Sequence, residues 1–499
     1  MRSGRGSMKS LSGSPIPLFK MKVQEKGRIR DIKDIIVRVQ GLPTCLNGQL
    51  VDFGEGVRGI IMGYDENDVL ILVLGDAKKL KMGKEVMGVS EPFKIPVGEN
   101  YIGRMITALG TPCDQRGEVE PSDYLPVFRD SPPITARGAV DQFLPTGTKI
   151  VDVLIPIAKG QRQLILGDRM TGKTIIAVDA MLNQRGRDVV CIYCAIGKSV
   201  SALEKVMSSL HQYHALDYTM AMVATDSSPV GEQYLMPFAA ASMGDYFASR
   251  GRDVLIVFDD LTKHAWAYRQ LSLLLERPPG REAYPGDIFY VQTQLMERAG
   301  KFNKEHGGGS MTFLGIAETQ QGDLTGYIPS NLASMCDGQV CMSSSIFAEG
   351  FRPAIDLMLS LSIIGGRAQP PIFKRLSRTL RADFARYSEV VKLSKLQSGL
   401  SGEAEKTVRR GESIRSLLQQ GQHVPAPVIE EALLLYALHK DYLIAVPEEE
   451  RERFRNGILA FMQEQKPELL KEIEAAMDLT PAIEKGLDEA MHAFLAKSA

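Results

Sequence analysis

Gly167-Asp168-Arg169-Met170-Thr171-Gly172-Lys173-Thr174 decides how this chain reads. A strand-length apolar run, Gln163-Leu164-Ile165-Leu166, precedes it, and Ile175-Ile176-Ala177-Val178-Asp179-Ala180-Met181 follows with apolar spacing suited to a helix. Strand, glycine-bounded loop and helix in one unbroken run make a P-loop. Its glycines let backbone N–H groups turn inward around phosphate oxygens, and the helix start adds the positive end of its dipole. Lys173 then reaches the terminal phosphates, and the Thr174 hydroxyl can ligate Mg²⁺. A random chain of this length matches the pattern on the order of one time in fifty, and the flanking strand and helix reduce that further. The whole stretch from Gly167 to Thr174 is therefore read as nucleotide-binding.

The chain has 499 residues, 44% hydrophobic and 24% charged, which is more than one core usually serves, so two to four domains are expected. A formal net charge of −1 gives no global basic field, and nucleic acid is not an expected partner. Uninterrupted apolar runs fall short of the ~18 residues that a membrane helix needs, so direct membrane insertion is not expected. Six cysteines without disulfide-scaffold density suit a reducing compartment. Cys191-Ile192-Tyr193-Cys194 is formally a C-x-x-C, but it lies inside the apolar run Val189–Ile196 and no second pair completes a zinc site. It reads as buried strand.

Residues 1–26 are rich in glycine, serine and basic residues, with no acidic residue before Glu25, and read as a disordered tail. Residues 27–96 hold short alternating β-branched runs between Gly/Asp/Asn turns, which predicts a small closed β-barrel. In residues 97–371 strands alternate with helices, predicting a P-loop α/β domain with a parallel sheet. There the run Val254–Phe258 ends in Asp259-Asp260, and Asp259 is the choice for the carboxylate that holds a water of the Mg²⁺ shell opposite Thr174. The segment Arg277–Asp287, dense in Pro and Gly, is either a surface connection or a bearing surface for a partner. Residues 372–499 turn helical in period and predict a helical bundle, whose mixed charges suit a solvated face.

Barrel, RecA-like P-loop domain and bundle in this order resemble the subunits of the rotary ATPase head, and most of all the α subunit of the F-type ATP synthase. The residues that carry the resemblance are Gly167–Thr174, Asp259-Asp260-Leu261-Thr262-Lys263, Ala267-Tyr268-Arg269-Gln270, the Arg277–Asp287 loop, Glu318-Thr319-Gln320 with Gly322-Asp323, Gly350-Phe351-Arg352-Pro353-Ala354-Ile355, and Gln420-Gly421-Gln422. The resemblance implies an ATP/ADP ligand with Mg²⁺, and adenine contacts from Arg352, Gln420 and Gln422. It implies a catalytic β-type subunit as partner in an alternating hexamer, a central γ shaft and a peripheral stalk. It further implies a peripheral place on the cytoplasmic face of a bacterial or archaeal inner membrane, or on the matrix side in an organelle.

This sequence departs from that pattern in three places. Catalytic paralogues end the strand after the P-loop helix in Gly-Glu-Arg, whose glutamate polarises the attacking water, and α subunits usually place a glutamine there; here Ala195-Ile196-Gly197-Lys198 puts Lys198 at the position. A lysine cannot take a proton from water at neutral pH, so binding without turnover is expected, with Lys198 facing either the γ-phosphate or solvent. The family's arginine finger falls at Ile363, with Arg367 four residues on as a substitute if the backbone takes another path. Met1–Glu25 lacks the amphipathic pattern of a stalk-docking helix, and Gln397–Glu403 lacks the usual acidity. Two other functions remain open: a self-sufficient hexameric ATPase of secretion or helicase type, against which Lys198 argues, and a non-enzymatic platform, for which Ile363 argues.

Overall fold

The structure is a computed structural model that describes residues 25–75, 77–394, 402–444 and 446–498. Two segments singled out in the sequence, the tail up to residue 24 and the stretch 397–401, lie outside the described residues.

The chain divides into a first unit ending at Pro92 and a second that begins at Phe93. In the first, β1 (Glu25–Lys33), β2 (Ile36–Gly41), β3 (Gln49–Asp52), β4 (Arg58–Tyr64), β5 (Val69–Leu74) and β6 (Glu85–Pro92) close into a barrel in the order β1-β2-β5-β4-β3-β6. All its pairings are antiparallel. The alternation seen in the sequence is the reason: Val37, Val39, Val51, Ile61, Ile71, Val73 and Val86 fill the interior, and closure leaves no strand edge unpaired.

The second unit opens with β7 (Lys94–Val97), β8 (Met105–Ile106) and β9 (Asp123–Pro126), of which β7 and β9 pair with each other. Then come β10 (Arg162–Gly167), β11 (Val189–Lys198), β12 (Thr219–Thr225), β13 (Asp253–Asp259), β14 (Gly300–Lys301), β15 (Ser310–Glu318), β16 (Gly338–Met342) and β17 (Ile355–Ser362). Together with β8 they form a nine-stranded sheet ordered β17-β16-β10-β15-β13-β11-β12-β8, with β14 beside β15. The ladder from β16 to β8 is parallel, and β17 closes one edge antiparallel to β16. Strands covered by helices on both faces read as continuous apolar runs rather than alternations, and β11 is buried from Val189 to Gly197. Cys191 and Cys194 are free thiols inside that strand.

Helices Gly402–Leu418, Val428–His439, Glu448–Gln465, Pro467–Ala476 and Pro481–Ser498 make the C-terminal bundle, in which Ile414, Leu433, Phe454, Ile458 and Leu487 are buried. The observed class is thus the expected one: β-barrel, α/β domain with a parallel sheet, helical domain. No described helix is long and apolar enough to cross a membrane.

Candidate nucleotide site

The P-loop leaves the end of β10 at Gly167, and the helix Lys173–Leu182 begins directly after it. Gly172 caps that helix at φ +100°, a left-handed turn that suits glycine. Lys173 folds back onto its own loop, its Nζ donating to the carbonyls of Gly167 at 2.8 Å and Asp168 at 2.6 Å. Burial lowers its pKa, and nearby Lys198 acts the same way, while Glu318 and Asp260 oppose the shift. Met170, at the loop tip, is 90% exposed.

Asp168 anchors the loop. Its Oδ1 accepts from Thr319 Oγ1 at 2.7 Å and from the Gly322 N–H at 2.8 Å, and its Oδ2 accepts from Ser344 Oγ at 2.8 Å. Burial works against the carboxylate, but these donors and Lys173 hold its pKa below the ordinary range. Arg169 pairs with Glu318 at 3.0 Å on the exposed side. Thr171 Oγ1 donates to the Asp168 carbonyl at 2.8 Å.

β11 and β13 run side by side with Ala195 opposite Asp259. At the end of β11 the register against β12 slips between Ile196 and Lys198, where Gly197 adopts φ +60°. The bulge re-aims the last residue, and Lys198 turns over Asp259, its Nζ 2.6 Å from Oδ1. The other oxygen of Asp259 accepts from Thr174 Oγ1 and from the Tyr193 hydroxyl, each at 2.9 Å. Burial disfavours the Lys198 ammonium, yet Asp259 and then Asp260 outweigh it and raise its pKa. Asp260 caps the helix Leu261–Leu274 by accepting from the Lys263 N–H at 2.8 Å. Burial and the charge of Asp259 push the Asp260 carboxyl up to about 7.

A cleft of about 690 Å³ joins these groups to Arg352, Gln420 and Gln422. The Arg352 guanidinium lies over the Phe347 ring at 3.6 Å and donates to the Phe347 carbonyl at 2.6 Å. Gln420 fastens its own loop: Nε2 donates to the carbonyls of Gly147 at 2.6 Å and Val424 at 2.7 Å, while Oε1 accepts from the Lys149 N–H at 3.0 Å. Gln422 lines the cleft. Its neighbour His423 pairs with Asp179 of the P-loop helix, a contact that the sequence reading missed, as it missed Tyr193 and Ser344.

Ile363 follows β17 directly and is 69% exposed, its N–H bonded to the Asp337 carbonyl at 2.9 Å. Arg367 is exposed on the short helix Gly365–Ala368. Neither residue lines the cleft that holds the P-loop. The Arg277–Asp287 segment is braced: Tyr268 Oη donates to Asp287 at 2.7 Å, Arg277 pairs with the same carboxylate at 3.3 Å, and Arg269 lies over the Tyr284 ring at 4.6 Å.

Three family descriptions match consecutive parts of the chain. The beta-barrel domain of the ATP synthase alpha/beta family matches residues 22–89, the nucleotide-binding domain residues 147–362, and the C-terminal domain of the alpha/beta chain residues 369–494. A curated relative, the ATP synthase subunit alpha of Petrotoga mobilis (strain DSM 10674 / SJ95), is 41% identical over 478 residues, covering 95% of each chain. Similarity running from barrel to bundle over one continuous alignment shows that the chain belongs to the ATP synthase alpha/beta family, as a subunit of the alpha type.

Proposed function

We propose that this chain is the structural, nucleotide-holding subunit of an F-type ATP synthase head, and that its own site binds ATP or ADP without hydrolysing it. The observation that carries the second half is Lys198. Hydrolysis needs a group that orients and deprotonates water opposite the γ-phosphate, and the end of β11 supplies an ammonium paired to Asp259 at 2.6 Å. The nucleotide would occupy the cleft that the P-loop, Arg352, Gln420 and Gln422 line together.

Mg²⁺ was the expected companion at Thr174 and Asp259. One oxygen of Asp259 carries the ammonium of Lys198, and the other accepts from Thr174 and Tyr193. We infer that this donor set, with Asp259 engaged by Lys198, Thr174 and Tyr193, suits a fixed ammonium better than a resident divalent ion.

Partners follow from the alpha type: a catalytic beta-type subunit alternating with this chain in a six-membered ring, and a central shaft. The complex would couple ATP synthesis or hydrolysis to proton or sodium transport from a peripheral position on the membrane. The braced Arg277–Asp287 segment suits a bearing surface for the shaft. Native mass spectrometry of the purified complex tests this, with a mixed ring expected. A stable ring of this chain alone that hydrolyses ATP would favour a self-sufficient motor.

A second reading keeps the ring but lowers its activity. Ile363 offers an apolar side chain where the alpha type supplies an arginine finger to the neighbouring site, so that a head built with this chain hydrolyses slowly.

A further inference from the structure

Asp259 ends β13 with none of its surface exposed. Two hydroxyls donate to its Oδ2, and the ammonium of Lys198 makes a contact ion pair with its Oδ1. Lys198 keeps 21% of its side-chain surface open and lines the same cleft as Gly172, Lys173 and Thr174. Lys198 therefore borders the space that a phosphate chain occupies when the P-loop is used.

We propose that Lys198 is a built-in cation standing in for a divalent metal, so that this site takes up metal-free nucleoside tri- or diphosphate. The inference rests on the nucleotide-holding reading above and specifies the ligand of that same site.

Magnesium demands near-ideal octahedral geometry at about 2.0–2.1 Å and is usually held through a hydroxyl, a carboxylate-bound water and substrate phosphates. Here the Thr174 hydroxyl donates into the carboxylate, and the oxygen that would receive a metal-bound water already holds an ammonium. Admitting the ion would expel Lys198 from Asp259 and crowd it, the metal and Lys173 around one polyphosphate. Leaving Lys198 in place avoids that repulsion. An ammonium has three donors, and from its place 2.6 Å from Asp259 Oδ1 that of Lys198 can turn N–H groups to phosphate oxygens. With Lys173, two ammoniums then face a ligand whose charge the metal would otherwise neutralise.

The test is an equilibrium titration of the full-length chain with ATP, in excess chelator and again with Mg²⁺. The dissociation constant should differ by less than about fivefold between the two conditions. Lys198→Gln should bind at least about tenfold more weakly in chelator and recover when Mg²⁺ is added. With Mn²⁺ as probe, electron paramagnetic resonance should show protein-bound metal in the Lys198→Gln complex with ATP and not in the wild-type complex. Should Lys198→Gln fail to fold because it strands a buried carboxylate, Lys198→Gln with Asp259→Asn keeps the local charge and should lose metal-free binding in the same way. Loss of about fivefold or more on chelation by the wild type overturns the inference and leaves the nucleotide site standing. So does a variant that binds metal-free ATP as well as wild type. No binding in either condition overturns both.

Discussion

His423 closes on Asp179 across the rim of the cleft, with its Nδ1 2.8 Å from Oδ1 and its backbone N–H donating to the same oxygen at 3.2 Å. The pair ties the loop of Gln420 and Gln422 to the helix that starts at Lys173. Burial pushes the Asp179 carboxyl up, and His423 pulls it back. A hydrogen bond to a charged group contributes about 1.5–3 kcal/mol, so His423→Ala should weaken ATP binding by about tenfold or somewhat more. Equilibrium titration checks this. Unchanged affinity would mean that the bonds of Gln420 alone hold the loop.

The purified chain should bind ATP yet turn it over negligibly, because Lys198 stands where a water-activating carboxylate is needed. A steady-state phosphate-release assay beside the binding measurement decides it. Turnover on the order of 1 s⁻¹ or more, the lower end of ordinary enzymes, would remove the non-catalytic reading.

Ile363 gives a prediction about the neighbouring site in the assembled head. An arginine finger is worth roughly 10³–10⁵ in rate in GTPase systems, or about 4–7 kcal/mol of barrier at 1.36 kcal/mol per decade. Complexes containing this chain should hydrolyse slowly, Ile363→Arg should recover much of the rate, and Arg367→Ala should change little. If Arg367→Ala abolishes turnover while Ile363→Arg is silent, Arg367 is the finger.

Glu431 sits in the helix Val428–His439 with 1% of its surface exposed. Burial, followed by the nearby charge of Asp152, drives its pKa well above the ordinary value. Asp152 is pushed up to about 6, by burial and against its bonds to Thr146 and Gly147. Both folded-state values lie above the unfolded ones, so the stability they contribute is complete below pH ~4 and is lost as pH rises through the folded values. Glu431→Gln should therefore flatten the decline of melting temperature from acid to alkaline pH and raise the melting point on the alkaline side. Thermal unfolding across pH 5 to 9 measures it, and parallel curves for both proteins would contradict the assignment.

The fold was legible because its strands declare their surroundings: alternation in the barrel, continuous apolar runs such as Val189–Ile196 in the doubly covered sheet. The site was legible only where its logic is local. Gly172, Lys173 and Thr174 follow from one loop and one helix start. Asp168 reads in sequence as part of a phosphate cradle, but its carboxylate turns to partners 151, 154 and 176 residues further on, which no local pattern encodes. The direction of Lys198 depends on a one-residue slip at Gly197, invisible to periodicity and decisive for where the charge lands. The burial of Glu431 is not encoded by helical period alone, although the apolar run Ala432–Leu435 directly after it hints at it.

β17 lies at the edge of the sheet, and Met358, Leu359 and Leu361 on it, with Ile363 just beyond, are between 40% and 69% exposed. An apolar edge strand is a template for unintended pairing with other chains. Copies made in excess of their partners should therefore precipitate or be cleared by proteolysis. The abundance of this subunit in a cell would then be set by how quickly it finds company rather than by how fast it is synthesised.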